Sequence, residues 1–145
     1  MNLAFRGLHP CFAAEVSPVK LARLDDPGVL AQIHAGMDRY AVLVFRDQEF
    51  SGAEQIQFAK RLDGEIHAKT GAAAITKNRF GDEALTDISN VDENGEIFRS
   101  NDRRRMYSLG NRLWHTDASF QDPPGRYSML FSIVVPPVEA DTEFA

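Results

Sequence analysis

Residues 111–120 read NRLWHTDASF, and the run His115-Thr116-Asp117 within them carries more information than any other part of the chain. On an extended strand, residues two apart project from the same face. That arrangement sets an imidazole nitrogen beside a carboxylate oxygen, with Thr116 turned away. One His and one carboxylate are two thirds of the facial triad that holds ferrous iron in non-haem oxygenases. A bare H-x-D is common by chance. Here Trp114 precedes it and Phe120 follows, giving a strand bulk to pack, and Asn111 lies four residues earlier on the same side of an extended chain. Polar groups of this kind are expensive to bury without a partner, and a metal is one such partner.

Outward from this run, the chain alternates strand signals and turns. Ala84 to Val91 reads as a strand closed by the turn Asp92-Glu93-Asn94-Gly95. A loop runs from there through Gly110. After the H-x-D strand, Pro123-Pro124-Gly125 makes a rigid turn. Tyr127 to Val135 is rich in aromatic and β-branched residues and gives the longest strand signal. Thr142-Glu143-Phe144-Ala145 reads as the start of another strand.

The N-terminal half reads as helical. Asp25-Asp26-Pro27 opens a helix, with Pro27 in the first turn and Leu30, Ile33, His34 and Met37 as its inward stripe. His34 on that stripe reads as a packed histidine rather than a ligand. Ala41 to Phe45 is an apolar run with the length of a buried strand. Ser51 and Glu54 form a capping box that starts a second helix, with Ile56, Phe58, Ala59 and Leu62 on its apolar side and Asp63-Gly64 at its end. From Glu65 to Asp82 the pattern breaks into an irregular loop.

Bulk properties narrow the class. The chain has 145 residues, 43% hydrophobic and 26% charged, which suits one globular domain with its own core. The net charge of −5 argues against nucleic acid as a partner, since such proteins present a basic face. Arg103-Arg104-Arg105 is a local exception and reads as a solvated loop beside Asp102. No apolar run reaches the ~20 residues of a membrane span, and MNLAFRGLHPCF lacks a signal-peptide plan. A lone Cys11 excludes an internal disulfide and fits a reducing cytoplasm. Helices lie in the first half and strands in the second, an α+β arrangement whose last strands need partners to close. We therefore expect residues 1–145 to be a single incomplete domain; a complete small protein is the alternative.

The segment NRLWHTDASFQDPPGRYSM, followed by DTEFA, resembles the TauD/TfdA family of Fe(II)- and 2-oxoglutarate-dependent dioxygenases. LVFRDQEFSGAEQIQFAKRL resembles that family's N-terminal strand-helix segment. Within the family the likeness is to the branch that cleaves aryloxyalkanoates such as 2,4-dichlorophenoxyacetate, and it covers the N-terminal half of a typical member. It implies part of a double-stranded β-helix (a jelly-roll, cupin-like fold) with N-terminal flanking helices. It implies Fe(II), 2-oxoglutarate as cosubstrate and O2, with a small anionic organic substrate, and it leaves room for a homo-oligomer at full length.

Position by position, the resemblance makes His115 and Asp117 the first two iron ligands, with no catalytic residue beyond the metal ligands. Thr142 matches a threonine whose hydroxyl binds a carboxylate of 2-oxoglutarate, donating to the anion without adding charge. Asn111 matches a pocket-lining position. His67 falls near a substrate-contacting histidine of sulfonate-oxidising relatives, with a plain loop histidine as the alternative. Lys69 and Arg79 are either partners for a substrate carboxylate or solvated loop cations. The family's distal His ligand and its 2-oxoglutarate-binding Arg are not in this chain, whose histidines are His9, His34, His67 and His115. Two ligands hold iron weakly, so these residues alone are expected to be inactive. The implied reaction hydroxylates the carbon next to the ether oxygen, and the hemiacetal falls apart to a phenol and glyoxylate while 2-oxoglutarate becomes succinate and CO2. A taurine-type alkylsulfonate dioxygenase, a non-catalytic truncated remnant and a structural or zinc-binding β domain are the competing readings.

Overall fold

In a computed structural model of the chain, residues 1–66, 82, 84–135, 137–138 and 141–145 are described. Two strands pair first: β1 (Ala4–Gly7) runs antiparallel to β2 (Ala14–Ser17), with Phe5 opposite Val16 and Arg6 opposite Glu15. Alternation along β2 turns Ala14 and Val16 into the core. On the outer face Glu15 accepts from Arg6 at 2.7 Å and from Arg46 at 3.1 Å. These two guanidiniums, Arg46 foremost, hold the Glu15 carboxyl below its usual range.

Helix α1 (Pro27–Tyr40) follows. The Asp26 carboxylate accepts from the Gly28 and Val29 amides at 2.8 and 3.2 Å, satisfying two of the orphan donors of the first turn. The helix ends at Ala41, whose φ of 58° turns the chain back towards β3 (Leu43–Val44), which pairs parallel with β2. Sheet order is β1-β2-β3. The strand expected over residues 41–45 is thus two residues long, and all five are exposed or half-buried. The inward face of α1 is also rotated from the expected stripe. Val29, Ile33 and Gly36 are buried, while Leu30, His34 and Met37 sit at the margin. Gly36 lies on that face and, lacking a side chain, lets the Phe5 ring press onto the helix.

Helix α2 (Gly52–Asp63) opens on the expected capping box. Ser51 Oγ accepts from the Glu54 amide at 3.2 Å, and the Glu54 carboxylate accepts from the Ser51 amide at 2.8 Å. Its end at Gly64, with φ of 83°, also lies where the sequence put it. Leu21, Leu24, Val29, Ile33 and Phe58 form the buried cluster, and Met129 packs against it from the far end of the chain.

The second half departs from its reading. Residues 84–91 form no strand; Val91 makes only an isolated bridge to Ile97, across the expected turn. Asp92 closes that turn by accepting from the Asn94 and Glu96 amides at 2.8 and 2.9 Å. The arginine run is helical rather than a loop: α3 (Arg103–Ser108) leads into a 3-10 turn, Leu109–Arg112. Arg104 bonds Asp102 at 2.9 Å and Glu93 at 3.2 Å, and lies 4.3 Å over the Phe98 ring. Residues 127–135 and 142–145 form no strand, and residue 133 is a bend. Backbone ladders need a neighbour, and among the described residues no strand runs alongside them. Leu130, Ile133, Val134 and Val135 accordingly stand exposed. No helix among the described residues is long and apolar enough to cross a membrane.

Candidate metal site

The 3-10 turn delivers the chain to Leu113, and His115 follows two residues later in a loop. The expected strand through His115 and Asp117 is absent; bends and turns occupy residues 117–123. Yet the two side chains meet, with His115 Nε2 3.3 Å from Asp117 Oδ1. Strand alternation therefore does not bring them together. Loop hydrogen bonds do.

The first of these bonds decides the chemistry. His115 Nδ1 lies 2.7 Å from the Leu113 carbonyl oxygen. A carbonyl only accepts, so Nδ1 carries a hydrogen and Nε2 is the nitrogen turned to Asp117. Nε2 faces the oxygen of a carboxylate, a contact held by a cation shared between them, either a proton on Nε2 or a metal. The spacing fits a metal. With bonds of about 2.1 Å, two ligands on one ion lie about 3.0 Å apart at a right angle and about 3.4 Å apart at the tetrahedral angle. The anchored Nδ1–H is also the usual outer support of a ligating histidine.

Further along, Thr116 Oγ1 donates to Ser119 Oγ at 2.8 Å, which turns Thr116 away from the pair. Ala118 adopts a φ of 52°, and its carbonyl accepts from the Gln121 amide at 3.2 Å, closing the loop behind Asp117. His115 and Asp117 side chains are 48% and 54% exposed, so the pair opens to solvent. Trp114 and Phe120, expected to pack a strand, stand in water at 70% and 76% exposure.

The remaining candidates are dispersed. Asn111 lies in the 3-10 turn and Thr142 in an exposed segment without regular secondary structure. Among the described residues neither makes a hydrogen bond to the pair. His67, Lys69 and Arg79 fall outside the described residues. His34, read as a packed residue, shares a 3.0 Å hydrogen bond with the Tyr127 hydroxyl. Among the described residues, no third His, Cys, Asp or Glu joins His115 and Asp117 to make a three-ligand group. Sequence reading missed the Leu113 carbonyl. A backbone acceptor leaves no trace in side-chain identity, and only the loop's conformation reveals it.

The described residues thus present a half-exposed His–carboxylate pair with Nδ1 anchored to a backbone carbonyl, and comparison with known proteins gives the family. Residues 4–145 match the family described as "Taurine catabolism dioxygenase TauD, TfdA family", and the chain belongs to it. It is 38% identical over 144 residues to the alpha-ketoglutarate-dependent 2,4-dichlorophenoxyacetate dioxygenase of Burkholderia sp. (strain RASC), covering 99% of this chain and 48% of that protein. The protein of the same name from Cupriavidus pinatubonensis is 39% identical over 144 residues, with 99% and 50% covered. Among solved structures, AAD-2 in complex with Mn(II) and N-oxalylglycine superposes with a TM-score of 0.68 at 32% identity, covering 86% of this chain and 39% of that one. The chain spans about half the length of the curated relatives it matches.

Proposed function

We propose that the protein is an Fe(II)- and 2-oxoglutarate-dependent dioxygenase that hydroxylates a small anionic aryloxyalkanoate of the 2,4-dichlorophenoxyacetate type. The observation that carries this reading is the His115 Nε2–Asp117 Oδ1 pair at 3.3 Å, with Nδ1 tied to Leu113. The substrate class rests on the two relatives named for 2,4-dichlorophenoxyacetate, both matched along nearly the whole of this chain.

In this reading His115 and Asp117 hold the iron. Iron bound there supplies oxygen activation coupled to decarboxylation of 2-oxoglutarate, and the protein's task is to bind, orient and shield. The Leu113 carbonyl occupies Nδ1, leaves Nε2 as the nitrogen turned to the ion, and fixes the ring's rotation. Asp117 adds the negative charge that selects a hard divalent cation. Thr142 donates its hydroxyl to a carboxylate of 2-oxoglutarate. Asn111, His67 and Lys69 are the substrate-side candidates. We place the protein in the cytoplasm, where 2-oxoglutarate is made.

Anaerobic Fe(II) plus 2-oxoglutarate tests the site through the weak visible charge-transfer band of such complexes. His115→Ala and Asp117→Ala should abolish the band while leaving the far-UV spectrum unchanged. A band that persists in His115→Ala overturns the assignment. Because the described residues supply two ligands, residues 1–145 on their own should release no succinate from 2-oxoglutarate, and succinate above a no-protein control would refute that.

A further inference from the structure

The loop holding His115 and Asp117 is half-exposed and short of packing, yet its following segment is fastened to the helical core at several points. Gly125 lies against Ala118, the residue directly after Asp117; a Cβ built on Gly125 would come within 3.0 Å of the Ala118 methyl. Arg126 Nη1 bonds Asp63 Oδ1 at 3.2 Å, at the last residue of α2. Tyr127 shares the 3.0 Å hydrogen bond with His34 Nδ1 on α1. Met129 then packs against the buried cluster, and Phe131 sets its ring edge-on to Phe50 at 5.5 Å. Consecutive residues thus touch the metal loop, one helix and the other helix in turn.

We propose, resting on the reading of His115 and Asp117 as metal ligands, that Gly125, Arg126 and Tyr127 form a brace that sets the position of Asp117 relative to His115. Arg126 and Tyr127 fix the brace to α2 and α1. Gly125 passes that placement to Ala118, which follows Asp117 directly and whose φ of 52° restricts the backbone at that point of the loop. All three are positioning residues, since none reaches the pair itself. Gly125 is required for its missing side chain rather than its backbone freedom, because the obstacle to a larger residue there is the Ala118 methyl.

Mn(II) titration of the 15N-labelled chain, read by paramagnetic broadening of the Ala118 and Ser119 amides, measures metal affinity without turnover. Gly125→Ala should raise the Kd about tenfold, the scale on which outer supports of metal ligands act. Adding Ala118→Gly to it should restore affinity to within about twofold of the parent, because removing the methyl frees the space and glycine suits the positive φ. Tyr127→Phe keeps the ring, loses the bond to His34, and should weaken Mn(II) binding in the same direction with the helices intact. An unchanged Kd in both Gly125→Ala and Tyr127→Phe, or a Gly125→Ala defect that Ala118→Gly does not repair, overturns the brace. Parent broadening that survives His115→Ala, or parent chain that shows none, instead overturns the ligand assignment on which the brace rests.

Discussion

Gly36→Ala sets two opposed effects against each other, and their sizes decide its sign. Gly36 lies in the third turn of α1 and is buried. Replacing a mid-helix glycine by alanine favours the helix by about 1 kcal/mol. The new methyl, however, would fall inside the edge of the Phe5 ring, 3.0 Å from Cζ and closer still to Cε1, and 3.2 Å from Leu43 Cδ1. Relieving such overlap in a packed interior costs about 1–3 kcal/mol. If the ring swings away instead, it gives up its stack on Tyr40, at 5.9 Å, worth roughly 0.5–1.5 kcal/mol. With two neighbours to move, the upper half of the packing range applies and the net loss is about 1–2 kcal/mol. Thermal unfolding by circular dichroism should then show a Tm roughly 4–8 °C lower, at about 4 °C per kcal/mol for a chain near this length. Ala35→Gly, on the exposed face one residue earlier, calibrates the propensity effect alone. Phe5→Leu in the Gly36→Ala background should recover part of the loss. A Gly36→Ala protein that is more stable than the parent by the mirror image of Ala35→Gly would refute the claim that Phe5 dictates glycine here.

Phe58 is 2% exposed within the central cluster, so Phe58→Ala should cost about 3–5 kcal/mol and lower the urea midpoint with little change in slope. Ser51→Ala removes the acceptor for the Glu54 amide and should cost about 1 kcal/mol, with hydrogen exchange rising first in the opening turn of α2, whereas Ser51→Gly should cost only a few tenths. The Asp92 carboxyl is held below its usual range chiefly by the Glu96 amide, and that of Asp102 chiefly by Arg104. Groups whose folded values are depressed contribute stability above their unfolded value that is lost as pH falls through the folded one. The turn at residues 92–96 and the start of α3 should therefore loosen below about pH 3.8, seen as amide shift changes at Asn94, Glu96 and Arg104, and shifts that complete well above that pH would contradict the assignment.

Both long helices were legible because their signals are local. Asp26-Pro27 and Ser51 with Glu54 satisfy amides within the same turn, so the sequence carries the start signal whatever the rest of the chain does. Strands were not, because pairing is a property of two segments. Ala4–Gly7 and Ala14–Ser17 carry no strong alternation, and their partnership rests on a register between residues about ten apart. Conversely, residues 127–135 have strong β propensity, but that preference is for a pleated, half-buried surface, and among the described residues nothing offers one. The buried face of α1 includes Gly36, where Phe5 packs from 31 residues earlier in the chain, and so it escaped periodicity. The H-x-D pair illustrates both cases. The expected juxtaposition of His115 and Asp117 is present, at 3.3 Å, while the stated geometry of strand alternation was wrong and a loop produced it instead.

That loop also shows why the pair is legible at all. Every bond that shapes it spans two or three residues: His115 to Leu113, Thr116 to Ser119, Gln121 to Ala118. A geometry built from such short contacts costs little loop-closure entropy, and the brace through Gly125 refines it rather than creating it. The exposure of Trp114 and Phe120 therefore leaves the His115–Asp117 pair intact, since neither ring takes part in those bonds. Affinity follows a different logic. Two ligands on one ion leave most coordination positions to water, so tight binding requires groups that the described residues do not bring to the site. Metal preference should thus track changes within residues 113–121, whereas metal affinity and substrate choice should track residues elsewhere. Grafting those nine residues onto an unrelated loop should transfer weak Mn(II) binding that depends on both His115 and Asp117. Transfer without that dependence would mean that the bonds to Leu113 and Ser119 do not by themselves set the site.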